Sequence, residues 1–169
     1  PIITLFSQIL WWPVLVNVLS HFTWPEGSRR WLLAFAVWGV ILLATALLTF
    51  LPGLLDSWKY TNALVAHTHI AMAGMLTCFL VLVLVVLDKT GRRRAALSRW
   101  PGFLLWNGGT YLMIGGLLWL GTVEARRATV VYFSEPASQA IYLLRLLAGL
   151  MMIAAVIGWL KASLPRKET

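Results

Sequence analysis

Apolar runs alternate with short polar, basic or proline-bearing stretches along this chain. Five runs are long enough to cross about 30 Å of hydrocarbon. They fall near residues 2–20, 31–53, 62–87, 103–123 and 140–160. The first carries Trp11, Trp12 and Pro13 in its middle and closes at Ser20-His21-Phe22-Thr23-Trp24-Pro25. Trp24 to Arg30 reads as a turn with a basic finish, and Leu54 to Tyr60 as a short connection with interfacial aromatics. The third run ends in the strongest basic stretch, with Lys89, Arg92, Arg93, Arg94 and Arg99. The longest connection is expected from Thr122 to Ser138. The pattern predicts an all-α integral membrane bundle of about five transmembrane helices, one transmembrane domain over residues 1–169.

Composition agrees with that reading. The 169 residues are 60% hydrophobic and 12% charged, with a mean hydropathy of +0.80, which excludes an ordinary soluble domain. The net charge of +8 does not imply a nucleic-acid surface, because the basic residues sit in short loops beside apolar runs. Arg29, Arg30, Lys89, Arg92, Arg93, Arg94, Arg99, Lys161, Arg166 and Lys167 collect on one side, and Lys59, Arg126 and Arg127 on the other. The positive-inside rule makes the first side cytoplasmic, with the C-terminus on it. Cys78 is single and lies within a span, so neither a disulfide framework nor a CxxC motif is present. No cleavable signal pattern is visible, and a start at Pro1 suggests processing or membership of something longer.

The chemistry concentrates in Val65-Ala66-His67-Thr68-His69-Ile70, at the opening of the third run. Polar groups at membrane depth are costly and mark functional sites. Residues two apart on a helix point about 200° apart, so His67 and His69 cannot close on one metal from one face. They can instead hold two objects, one on each side, as in a helix serving two haems. Neutral imidazole is a common axial ligand of haem iron. Ala71, Ala73 and Gly74, one turn on, would let a flat macrocycle approach the backbone. The plainer alternative is a pair of interfacial histidines hydrogen-bonded to their neighbours.

Arg145 lies inside the fifth run. It either snorkels to the interface or makes a bidentate contact to a haem propionate, a role open to Arg126 and Arg127 as well. His21 falls at the opposite membrane face and reads as interfacial. Met113, Met151 and Met152 read as packing, and Asp56 and Glu124 as solvated carboxylates.

Thr61 to Gly74, with its A-H-x-H-x-A-x-x-G pattern, resembles the tenth helix of subunit I of the haem-copper oxidase superfamily. Trp106-Asn107-Gly108-Gly109, with Leu112 and Met113, is similar to the eleventh helix of the nitric oxide reductase and cbb3-type branch. Leu144 to Leu150, around Arg145, resembles the twelfth. The resemblance covers roughly residues 61–160; the first two runs match by position only. It implies His67 as proximal ligand of a high-spin haem iron and His69 as one axial ligand of a low-spin haem iron. The family's copper-binding histidines, and the second low-spin ligand, have no counterpart among the three histidines of this chain.

The expectation is therefore a haem-binding subunit, with one or two b-type haems shared with another polypeptide or a missing segment. It would carry electrons within a respiratory complex of an energy-transducing inner membrane, bacterial or organellar, with His67 and His69 toward the outer side. Oxygen or nitric oxide reduction would need a partner that supplies the copper or iron site. The alternative is a haem-free accessory subunit of a larger membrane complex. A small transporter is disfavoured, since no inverted repeat or pair of broken helices is visible.

Overall fold

The computed structural model describes residues 2–126 and 136–164. Its helices are α1 (Ile2–Ser20), α2 (Arg29–Thr49), α3 (Leu54–Trp58), α4 (Asn62–His69), α5 (Thr77–Leu87), α6 (Arg92–Leu97), α7 (Trp100–Arg126) and α8 (Pro136–Ser163). A π-helical segment, Ile70–Leu76, joins α4 to α5. Four helices are long and apolar enough to cross a membrane: α2, the composite Asn62–Leu87, α7 and α8. The chain is a helical, multi-pass membrane protein with these four candidate spans. The first expected span is also helical, but its described apolar stretch, Ile9–Ser20, is shorter than the other four.

Two expected connections turn out to hold short helices, α3 and α6. The long connection is trimmed from both sides, because α7 runs on to Arg126 and α8 starts at Pro136. Proline suits a first helical turn, where its missing N–H has no intrahelical carbonyl to bond.

Aromatic and aliphatic side chains from α2, the composite helix and α7 form the core. Trp31, Trp38, Ile70, Leu82 and Leu117 are fully buried there. Burial alone would leave the indole nitrogens unsatisfied, which costs more in an apolar interior than in water. Trp31 Nε1 donates to Leu97 O at 2.9 Å, and Trp38 Nε1 to Asn107 Oδ1 at 2.9 Å. Asn107 in turn donates to Phe103 O at 3.1 Å.

Glycines set the closest helix approaches. A Cβ on Gly121 would stand 1.9 Å from Ala63 N, so α7 meets the start of α4 backbone to backbone. A Cβ on Gly109 would lie 2.7 Å from Ala148 O, which brings α7 equally near α8. Small residues play this part in membranes, where lipid gives no hydrophobic drive toward closer packing. Helix α7 thus stands between α4 and α8. The outer face of α8 stays uncovered, with Leu143, Leu146 and Leu150 all more than half exposed.

Candidate functional site

The site begins at the N-terminus of α4. Thr61 is its cap residue and accepts from Ala63 N–H at 3.2 Å. Glu124, from the last turns of α7, accepts from Asn62 N–H at 2.6 Å and from the Asn62 side-chain amide. A carboxylate at this end satisfies an otherwise unpaired amide and complements the helix dipole. Glu124 reads as a solvated residue in the sequence; in the structure it fixes the helix that carries both histidines.

Ala63 and Ala66 form the buried face of α4, which Ile70 continues into the π segment. At about 100° per residue, His67 and His69 emerge on opposite flanks of that face. Both are half-buried. His69 Nδ1 lies 2.8 Å from Val65 O. A carbonyl can only accept, so Nδ1 carries the hydrogen and Nε2 keeps its lone pair. His67 Nδ1 lies 2.9 Å from Thr45 Oγ1 of α2. That hydroxyl is also 3.0 Å from both Ile41 O and Leu42 O, where its single hydrogen goes. Thr45 therefore accepts from His67, and His67 also presents Nε2 as its free nitrogen. Each ring has its tautomer and orientation set through Nδ1, the arrangement by which imidazole ligands are held on metals.

The helix changes pitch directly after His69. Thr77 N–H bonds back to Met72 O, five residues earlier, and Thr77 Oγ1 donates to the same carbonyl at 3.0 Å. Where such pairing reverts to the α pattern, one carbonyl is left without an amide. Trp106 Nε1 donates to Ala73 O at 3.0 Å. Gly74 does not open a slot for a macrocycle as its size suggests: the Trp38 indole lies over it, and a Cβ there would fall 2.6 Å from the ring. The small residue is used for helix packing instead.

Arg145 is half-buried on α8, its guanidinium 5.4 Å from the centre of the Tyr142 ring. Leu144 packs near Gly116 and Ala148 near Gly109. Ala63 meets Gly121, and Cys78 Sγ lies 3.9 Å from Asn107 Oδ1. Arg145 and the two imidazoles thus share one stretch of the length of α7 but lie on different sides of it. Arg126 is exposed at the end of α7, and Arg127 lies outside the described residues. Among the described residues, no group of three His, Cys, Asp or Glu side chains could hold a metal ion.

Of the remaining sequence candidates, His21 bonds back to α1, and Met151 and Met152 serve helix packing. His21 Nδ1 lies 2.6 Å from Asn17 O at the exposed end of α1. Met151 and Met152 fit against Gly108 and Gly109. Thr45 had no mark in the sequence beyond being a hydroxyl in an apolar run. No protein-family model, no curated protein and no solved structure matches this chain.

Proposed function

We propose that this chain is a haem-binding subunit of a respiratory membrane complex of the haem-copper oxidase kind. The supporting observation is the pair of imidazoles on opposite flanks of α4, each anchored through Nδ1 and each offering Nε2 outward. Bound b-type haem would supply one-electron transfer. His67 and His69 would each hold one iron axially; Arg145, on α8 across α7 from both rings, would meet propionates only by reaching past α7, with Arg126 and Arg127 as further cations for them. Both rings lie at the surface, so another polypeptide has to close each site and add the second low-spin ligand. Reduction of oxygen or nitric oxide would likewise need histidines from that partner.

In this reading the basic end faces the cytoplasm, α1 forms a fifth span, and both histidines lie toward the outer side of an energy-transducing inner membrane. Favouring the second reading, a haem-free accessory bundle, is the Trp38 indole over Gly74, which takes the space a flat ligand would use.

A pyridine haemochrome spectrum of the purified complex containing this chain separates the two. The haem reading expects b-type bands, and in the native reduced-minus-oxidised spectrum His67→Ala abolishes the high-spin signal and His69→Ala the low-spin signal. Unchanged spectra in both variants would refute it.

A further inference from the structure

The basic end of the bundle carries a cavity of about 730 Å³ where α6 meets the last turn of α8. Arg92, Arg99 and Lys161 line it, with the buried Ala96 among the wall residues and no acidic side chain among the described residues. The nearest carboxylate in sequence to α6, Asp88, is engaged by Thr90 and by the Arg94 backbone. Three cations around one concavity, without a counter-charge in its lining, call for an anion.

A second, apolar trough of about 180 Å³ continues from it, and Ala96 and Arg99 line both. The trough runs between α7 and α8 past Leu105, Ala154, Gly158 and Trp159. It therefore reaches more than one turn into α7 and more than two into α8, whereas Arg92 and Arg99 lie outside the spans. A free phosphate would use the cations and leave the trough unused. An amphiphile with an anionic head and an acyl tail uses both, and basic pockets beside membrane helices suit such headgroups.

We infer that this face is a site for one anionic phospholipid, its phosphate among Arg92, Arg99 and Lys161 and one acyl chain in the α7–α8 trough. This does not rest on haem binding. Gly158 offers a clean probe, because a Cβ there meets nothing within 4 Å. A leucine at this position adds apolar bulk at the wall of the trough.

The test is native mass spectrometry of the purified complex after exchange into nanodiscs of phosphatidylcholine with a minor share of phosphatidylglycerol. One phosphatidylglycerol per chain is expected to survive delipidation. Retention falls about fivefold for each of Arg92→Gln, Arg99→Gln and Lys161→Gln. Lys89→Gln, outside the cavity lining, leaves it unchanged. Gly158→Leu lowers it with all the cations still present, and circular dichroism verifies that each variant is folded. Equal retention across the cation variants would overturn the assignment. So would displacement by glycerol 3-phosphate at equal concentration, which would mean a headgroup-only anion site, or a bound acidic polypeptide appearing in place of lipid. Unchanged retention in Gly158→Leu would remove the acyl trough.

Discussion

His67 and His69 lie two residues apart on one helix, yet their rings are held by different kinds of bond. His69 leans on its own helix, through Val65 O four residues back. His67 reaches across to another helix, through Thr45. The first arrangement forms wherever α4 is helical. The second exists only while α2 and α4 keep their relative position. One imidazole is thus fixed by local structure and its neighbour by tertiary packing, so disturbances of the bundle should reach His67 first.

The largest effect should come from removing the platform both rings share. Gly121→Ala drives a methyl into Ala63 N, where backbone faces backbone and no rotamer gives relief. A loss of about 3 kcal/mol is expected, read as a lowered thermal midpoint of the purified protein. An unchanged midpoint would mean that α4 and α7 are not in this contact.

Thr45→Val separates the two rings. It keeps the side-chain shape and removes the acceptor, so under the proposed haem reading His67 should lose about tenfold in iron affinity while His69 keeps its own. Titration of haem into the depleted complex, with the high-spin and low-spin bands followed separately, measures both. Equal loss at the two bands would erase the distinction drawn above. Glu124→Gln should act more weakly and on both rings alike, by about 1 kcal/mol, through the shared N-terminus of α4. Hydrogen exchange at the Asn62 and Ala63 amides reports it directly.

The smallest effect lies at the opposite end. Asp88 accepts from Arg94 N–H at 2.9 Å, and from Thr90 N–H and Oγ1. The Arg94 amide first, then the Thr90 hydroxyl, hold its carboxyl below the ordinary aspartate value. A lowered native value means the contribution is full above the unfolded value of about 3.9 and is lost as pH falls through the native one. The protection factor of the Arg94 amide should therefore fall on acidification in that range. Asp88→Asn should remove this dependence and leave both histidines untouched.

What the sequence made legible follows the same division between local and tertiary. The four spans and the placement of the two imidazoles on opposite flanks come from run length and helical period, which are local quantities. The Nδ1 bond of His69 is local too. Thr45, Glu124 and the Trp38–Asn107 pair act across more than 20 residues, and each side chain taken alone looks ordinary. Gly74 shows the limit most plainly. Its missing side chain signals a close approach, but only the packed bundle decides whether an indole or a ligand makes it. The π segment was likewise hidden, because Ile70 to Leu87 carries no proline, and Thr77, whose hydroxyl meets Met72 O, looks like any single hydroxyl in an apolar run.

That segment has a consequence for how the helix tolerates insertions and deletions. Pairing over five residues instead of four accommodates one residue more than a uniform α-helix would. Removing a single residue between Ile70 and Leu76 would let the plain pitch return, leaving His67 and His69 where they are. Everything beyond would keep its facing, with Cys78, Val81 and Val85 still on the core, whereas the same deletion in a plain α stretch of this helix would turn the far half by about 100°. The π segment thus absorbs one supernumerary residue, and a one-codon deletion is tolerated there where it would dephase the two halves anywhere else in the helix.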